Sequence, residues 1–550
     1  MIDSRFFSYM LLAFILLLLY QAWQRDYGVH PPVAATSQSI DERTAINDVP
    51  AADIAAGGSQ PELASVPEDA AAAHQSSITV ATDVLAVEID LQGGTLSRAD
   101  LLAYPVDLAK PDQPVRLLTD EPEHFHVAQS GLLAGKGRAP DHHALYTAER
   151  REYTLADGAQ KLDVDLQWQN GEGVTVHKIF HFTAGSYLVD VHYVVENASS
   201  TVWRGRLYSQ LQRAHSEQRS RLGLNTYTGG VIYTPEKHYE KISFETMSKE
   251  ALEREAKGGW LAMIQHYFLA AWIPDAESVN TFYTRTVETS VGRRYVLGMS
   301  SAVAEAPPAG KVEFHDRLFV GPKIQQIMEK IATGLELTVD YGFLTIIAKP
   351  LFYLLRLIHG WVSNWGFAII LLTLLIKLLF YKLSEMSYRS MAKMRRVQPK
   401  MVAIRERYAE DRQRQGQAMM ELYRKEKINP LGGCLPMLIQ IPVFLALYWM
   451  LMESVELRQA PFILWIQDLS IKDPYYVLPV IYGISLYFQQ KLNPAPLDPV
   501  QAKVFTMLPY IFTVMFAFFP AGLVLYWVVN NTLTIVQQWV ITRHVLRDEK

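Results

Sequence analysis

Lys377 stands inside an otherwise apolar run, Trp361 to Tyr381, and offers more chemistry than any other residue of the chain. A lysine at the centre of a membrane helix costs roughly 2.5–3.5 kcal/mol on insertion scales, so it normally faces a polar cavity and has a role. Thr373 lies one turn earlier on the same helical face. Such a cation suits an ion- or solute-coupled transporter, or activation of a serine in a Ser/Lys protease. A transporter of that kind predicts inverted repeats, and none is visible in the sequence. The protease needs a serine beside Lys377; the nearest in sequence, Ser384, lies in the basic flank beyond the run. A blander alternative stays open. Lys382 is roughly 8 Å further along the helix at 1.5 Å per residue, so the Lys377 amine can snorkel to the headgroups. Gln440, Asn530, Asn531, Gln537 and Gln538 place further polar groups in later apolar runs, where they either line the same cavity or hydrogen-bond helix to helix.

Other motifs do not carry chemistry. Gly131-Leu132-Leu133-Ala134-Gly135-Lys136-Gly137 has three residues between its first glycines where a phosphate-binding loop has four, and Gly137 stands where Ser/Thr should bind Mg²⁺. HExxH and Gly-x-Ser-x-Gly are absent from the sequence, and Asn197-Ala198-Ser199 is only a formal glycosylation sequon. The single cysteine, Cys434, excludes an internal disulfide, and no Cys/His cluster has zinc-ligand spacing. Catalytic residues, cofactors and metals are therefore not expected. The net charge of -4 and its uneven distribution speak for a membrane topology rather than sequence-specific nucleic-acid binding.

The elements that must position Lys377 are membrane helices. Apolar stretches near the length needed to cross about 30 Å of hydrocarbon run from Trp361 to Tyr381, Leu435 to Met452 and Tyr475 to Gln490. A longer one, Val504 to Thr542, is interrupted by Pro520-Ala521-Gly522 and reads as two crossings. With an N-terminal crossing, Phe6 to Trp23, the count is six. That first segment lacks a small-x-small cleavage site and ends on an aromatic, so it reads as an uncleaved anchor over 1–27, a removed signal peptide being the alternative. Residues 28–76 are rich in Ala, Pro, Ser, Gly and acids and predict a disordered linker. From Ile78 the period becomes two: Leu85, Val87, Ile89 and Leu91, then Leu162, Val164, Leu166 and Trp168, then Tyr187, Val189, Val191, Tyr193 and Val195. An antiparallel β-sandwich over 77–340 is expected. Leu344, Ile347, Leu351, Leu354, Leu355 and Ile358 form a helical stripe over 341–360, either an amphipathic helix in the membrane interface or a core helix of the preceding domain, with Pro350 at a kink or first turn.

Residues 361–550 form the membrane core. Within it, 382–432 predicts a hairpin of two amphipathic helices divided at Pro399 and the polar stretch Asp411 to Gly416. Its methionines, among them Met391, Met394, Met419 and Met420, either form an adaptable surface for apolar partners or fill the hairpin's own seam. Lys382 to Lys427 holds 13 basic and 6 acidic residues, which places it in the cytoplasm by the positive-inside rule. The β domain and the loop Glu453 to Pro474 then face outward, and both termini face inward.

Asn429-Pro430-Leu431-Gly432-Gly433-Cys434-Leu435-Pro436 and Gln440-Ile441-Pro442-Val443-Phe444 resemble the third-span signature of the YidC membrane insertase family. Trp365-Gly366-Phe367, Val455 to Phe462, Asp473-Pro474-Tyr475-Tyr476, Phe519 to Trp527, Gly258 to Met263 and Ala271 to Pro274 extend the resemblance in the family's order. It implies a bacterial inner-membrane insertase and chaperone, not an enzyme, with a five-helix core whose polar groove opens to cytoplasm and lipid. It also implies a periplasmic domain like a sugar mutarotase. The residues expected in the groove are Lys377, Thr373, Gln440, Asn531, Tyr526 and Trp527, and those along the client's exit are Met437, Ile441, Phe444, Phe512 and Phe516. The implied partners are nascent membrane proteins, the Sec translocon, membrane lipids, and the ribosome through the basic hairpin and the Lys491 loop, in place of the long basic tail of many relatives. In one respect the chain departs from the family: its groove cation is characteristically Arg, and Lys377 keeps the charge without the bidentate fork.

Overall fold

The computed structural model describes residues 48–50, 77–215, 226–426, 435–492 and 499–547. The expected anchor 1–27 and most of the expected linker 28–76 lie outside the described residues. Where the linker is described it departs from the free tether of the sequence reading. Asp48 is buried, its carbonyl accepts from Gln210 Nε2 at 3.3 Å, and the Val49 carbonyl accepts from Arg285 Nη1 at 2.8 Å. Residues 48–50 are thus docked, because β-domain side chains satisfy backbone groups that would otherwise be left to water.

Two sheets, of eleven and nine strands, follow. Period-two sequences produce the expected faces: Leu85, Val87 and Ile89 are buried in Leu85–Asp90, and Val189, Val191, Tyr193 and Val195 in Leu188–Asn197. Both sheets contribute to one core, which includes Ile89, Val164, Phe180, Tyr193, Leu211 and Trp272. The strands pair antiparallel, with one amendment to the expectation: Ser77–Ala81 lies parallel to Glu152–Thr154. The long connection between those strands permits it, since parallel neighbours need a crossover rather than a tight turn. Trp260–Ile264 and Phe268–Pro274 are buried on both faces. Part of the second cover is α2 (Gln325–Ile331) and the turn after it, where Trp260 Nε1 donates to the Thr333 carbonyl at 3.0 Å and Met328 and Leu335 join the core. A shorter helix, α1 (Phe244–Lys249), is capped by Ser243.

Asp316, buried in strand Gly310–Pro322, accepts from Ser209 Oγ at 2.6 Å. Burial pushes its pKa up to about 7 against the opposing Ser209 hydrogen bond and the His315 charge. The folded chain therefore holds this proton above the unfolded value of 3.8, so stability should fall as pH rises between these two values. Each unit of separation is worth about 1.4 kcal/mol. Asp316→Asn is expected to flatten the decline in thermal melts of the full chain taken between pH 5 and pH 8. An undiminished slope in the variant would remove Asp316 as its source.

The helical part comprises α3 (Thr345–Val362), α4 (Trp365–Leu379), α5 (Tyr381–Arg407), α6 (Arg412–Lys425), α7 (Leu435–Glu453), α8 (Val477–Leu492), α9 (Pro499–Phe516) and α10 (Ala521–Arg547). α3 continues through Pro350, burying Ala348, Phe352, Leu355 and Ile358 against a core shared with α4 and α7, while Ile346, Tyr353, Leu357 and Trp361 are exposed. The apolar run from Trp361 is then divided. Ser363 takes a left-handed φ of 52°, and Asn364 caps α4 by accepting from the Phe367 N–H at 3.1 Å. After α9 the expected break falls at Pro520, where the Ala521 and Gly522 N–H groups donate to the Ile471 and Leu469 carbonyls at 2.6 and 2.8 Å. Among the described residues no single helix is long and apolar enough to cross a membrane; α4 and α5, bent by 67°, meet that test together.

The hairpin is divided differently from the expectation. Pro399 lies within α5, with Arg395 and Pro399 both exposed, so the carbonyl that loses its helical partner faces water. The turn comes at Tyr408–Asp411 instead, and Asp411 begins α6 by accepting from the Gln413 and Arg414 N–H groups at 3.1 and 3.0 Å. Polar residues after Asp411 therefore belong to a capped helix. Lys400 meets Glu426 at 2.6 Å and Gln415 reaches the Arg405 carbonyl at 3.2 Å, which fixes an antiparallel pair. Among the methionines, Met394, Met401 and Met419 fill the seam, while Met386 and Met420 are exposed.

Candidate functional site

α10 packs against α4, α5, α7 and α8 and carries Asn530, Asn531, Thr534, Gln537 and Gln538 within two to three turns. Spacings of three and four place most of these on neighbouring stripes of one side. Three of these helices, α4, α7 and α8, send a polar group toward them. Lys377 Nζ on α4 donates to Thr534 Oγ1 at 2.7 Å, and that hydroxyl donates to the Asn530 carbonyl at 2.7 Å. Gln440 Nε2 on α7 donates to Asn530 Oδ1 at 2.9 Å. On α8, Ser485 Oγ accepts from Asn531 Nδ2 at 2.7 Å, and the Leu492 carbonyl accepts from Gln538 Nε2 at 3.3 Å. Lys377 is 8 % exposed, and its amine crosses to α10 rather than running along α4 toward Lys382.

The Ser/Lys protease needs a serine beside the amine, and the hydroxyl that Lys377 meets is Thr534, itself tied to the Asn530 carbonyl of its own helix. Thr373 does not join the network, because its hydroxyl bonds the Ile369 carbonyl of its own helix at 2.7 Å. Gln537 is partly buried with neither side-chain polar atom partnered, leaving one donor group and one acceptor for water or a guest chain. Sequence reasoning missed Ser485 and Thr534. Hydroxyls in apolar helices ordinarily bond back to their own turn, so they carry little signal. The spacing of Thr534 four residues after Asn530 was the available hint.

A second group is aromatic. Trp527 lies 3.7 Å from Phe516 and 5.4 Å from Phe444 between ring centroids, and Phe512 lies 5.6 Å from Phe516. Tyr526 and Trp527, expected in the groove, are buried in this aromatic set, and Phe516 is buried with them. Phe444 and Phe512 are half-buried, and Ile441 is exposed on α7. Met437 also lies on α7, but its side chain is outside the described residues. Outward faces of α8 and α9 are apolar and exposed: Ile484, Phe488, Tyr510, Ile511 and Val514. The two helices cross closely, since a Cβ on Gly483 would meet Thr513 Oγ1 at 1.9 Å. Before α8, buried Asp473 accepts from Trp465 Nε1 at 3.0 Å and from the Leu478 N–H at 2.8 Å, joining the preceding loop to the start of that helix.

Residues 77–354 match the family model of the YidC periplasmic domain, and residues 357–548 match that of the 60Kd inner membrane protein. The membrane protein insertase YidC of Methylococcus capsulatus is 53 % identical over 531 residues, covering 96 % of this chain and 95 % of that protein. The chain belongs to the YidC membrane protein insertase family. As in YidC proteins generally, a large β-rich periplasmic domain precedes a helical C-terminal part, and the location is the inner membrane. Nothing in the YidC matches supports a transporter or an enzyme. A crystal structure of an active YidC insertase with its first transmembrane domain resolved aligns over 84 % of this chain and 92 % of its own, with 19 % identity and a TM-score of 0.38. A galactose mutarotase related enzyme from Lactobacillus acidophilus aligns over 44 % of the chain and 97 % of its own, with 9 % identity and a TM-score of 0.31.

Proposed function

We propose that this YidC-family insertase receives the polar flank of a nascent inner-membrane protein in a groove lined by Lys377, Gln440 and Asn531. The client's apolar segment leaves to lipid between α7 and α9, past Met437, Ile441, Phe444 and Phe512, with the buried Phe516, Tyr526 and Trp527 holding those helices together. Convergence of α4, α7 and α8 on the polar stripe of α10 carries this reading. Polar groups inside apolar helices are retained at a cost and concentrate where a polar path is needed. A wet groove shortens the distance over which a client's polar tail must be desolvated. Transfer of the client helix into hydrocarbon supplies the driving force, and no nucleotide is required.

In the same proposal α4, α7, α8, α9 and α10 are the five core crossings and the N-terminal segment is the sixth. The 13-to-6 excess of basic residues in Lys382–Lys427 puts the α5–α6 hairpin and both termini in the cytoplasm. The β domain and the loop after α7 are periplasmic. α3 rests in the outer interface, where exposed Ile346, Tyr353, Leu357 and Trp361 meet lipid while its other face packs on the core. The basic hairpin and the region of Lys491 are the surfaces offered to a ribosome, and the helical core is the surface offered to the Sec translocon.

Photocrosslinkers at Met437, Phe444 and Phe512 are expected to capture a stalled nascent membrane segment, and depletion of the protein should block insertion of single-span clients with short tails. Failure of all three positions to capture such a chain, or normal insertion after depletion, would overturn the route.

A further inference from the structure

We propose that Asp48, His142 and His143 form a divalent metal site of the zinc class on the β domain. One atom of each residue lies within 4.8 Å of the others. His142 Nε2 is 3.1 Å from Asp48 Oδ2, and His143 Nε2 is 2.9 Å from Asp48 Oδ1. Ligands of a tetrahedral zinc ion, at bond lengths of about 2.0–2.1 Å, stand about 3.3 Å apart. Outward shifts of a few tenths of an ångström therefore open these two gaps to that spacing.

Donor chemistry and surroundings point the same way. Two imidazoles and one carboxylate suit zinc and its neighbours in the first transition row, and three protein ligands leave a fourth position for water. The side chain of His142 is 1 % exposed, and its Nε2 faces the buried Asp48 carboxylate at 3.1 Å. Its Nδ1 is 2.6 Å from Tyr208 Oη. Tyr208 Oη also accepts from the His142 backbone N–H at 2.9 Å, so this one hydroxyl fixes the ring, and in the tautomer that carries its proton on Nδ1 the Nε2 lone pair is free to bind an ion. Asp48 is placed independently of any ion by Gln210, which Gln129 and Tyr283 hold in turn at 2.9 Å each. His143 is 38 % exposed at its side chain, so an ion reaches the site from that edge.

Bound metal would fasten residues 48–50 to the loop that carries His142 and His143. Sequence spacing could not reveal this, since His143 and Asp48 are 95 residues apart.

The test uses the full-length protein in detergent, purified without a histidine tag and stripped with a chelator, with Zn²⁺ alone as the probe. Elemental analysis after desalting should find one zinc per chain, and competition with a chromophoric chelator gives the affinity. His143→Ala and Asp48→Asn should each weaken binding at least 100-fold. His143 is partly exposed and Asn is isosteric with Asp, so both variants should remain folded, which the thermal melt checks. Tyr208→Phe, acting through His142, should weaken binding about 10- to 100-fold. The proposal falls if the wild-type chain retains less than a tenth of an equivalent, or if folded His143→Ala and Asp48→Asn bind zinc as tightly as the wild type.

Discussion

Lys377→Ala is expected to lower insertion of clients with short acidic tails by roughly 10- to 100-fold, as suits a hydrogen bond to a charged group worth about 1.5–3 kcal/mol. Lys377→Arg should restore most of the activity, since charge is the property the proposed groove would offer and Arg adds a bidentate fork. Thr534→Val provides a second probe, because it removes the acceptor that holds the amine at 2.7 Å. It should cut insertion less than the loss of the charge itself. Reconstituted vesicles with a client series of increasing tail acidity would measure all three, with thermal melts to check that each variant folds. A folded Lys377→Ala chain that inserts acidic-tailed clients at the wild-type rate would show the amine to be a structural tie between α4 and α10.

Lys323→Met is expected to destabilise the chain by about 3–5 kcal/mol, the scale for breaking a buried ion pair from one side. Lys323 sits just beyond strand Gly310–Pro322 and meets Glu453, at the end of α7, at 3.3 Å; both are buried. Burial pulls the lysine pKa down, and the partner carboxylate opposes that shift. Removing the amine leaves a carboxylate facing a dry interface where Lys323 also reached the Thr338 carbonyl. Joint replacement, Lys323→Met with Glu453→Leu, should recover most of the loss, because apolar pairs of similar volume substitute well for buried ion pairs. Melts of the four chains form the double-mutant cycle. Equal losses in the single and double variants would mean that the pair contributes through shape alone. Neighbouring contacts, His266 to the Met452 carbonyl at 2.8 Å and Gln459 to the Pro105 carbonyl at 2.7 Å, make this junction continuous, so proteolysis between the β domain and α3 should rise with the single change.

Strand faces such as Leu85–Asp90 and Leu188–Asn197 were legible because one side of each meets water and the other the core, and that difference is written in alternation. Trp260–Ile264 carries no such contrast, being covered on both faces, so its pairing could not be read from periodicity. The break at Pro520 was legible from turn chemistry; the one at Ser363–Asn364 was not, since it rests on a left-handed residue and a cap whose second bonds, to the Pro461 and Phe462 carbonyls, come from a distant loop. Pro399 misled for the opposite reason: exposure let water replace the lost helical bond. In the candidate site, Lys377, Gln440 and the asparagines declared themselves by cost, as charged or amide groups in apolar runs. Their partners Thr534 and Ser485 did not, and the packing of Tyr526 and Trp527 against Phe444 was equally hidden, because sequence position alone does not say which rings from other helices meet.

The cap at Asn364 and the bend after Leu379 leave α4 with 15 residues. At 1.5 Å per residue that is about 22 Å, some 8 Å short of an average hydrocarbon core. If α4 crosses as proposed, lipids around it must compress and tilt their chains to meet its ends, at a modest cost for each ångström of mismatch. The insertase would then work on its solvent as well as on its client, keeping an elastic dimple in the bilayer where the barrier to a polar segment is already lowered before any client arrives.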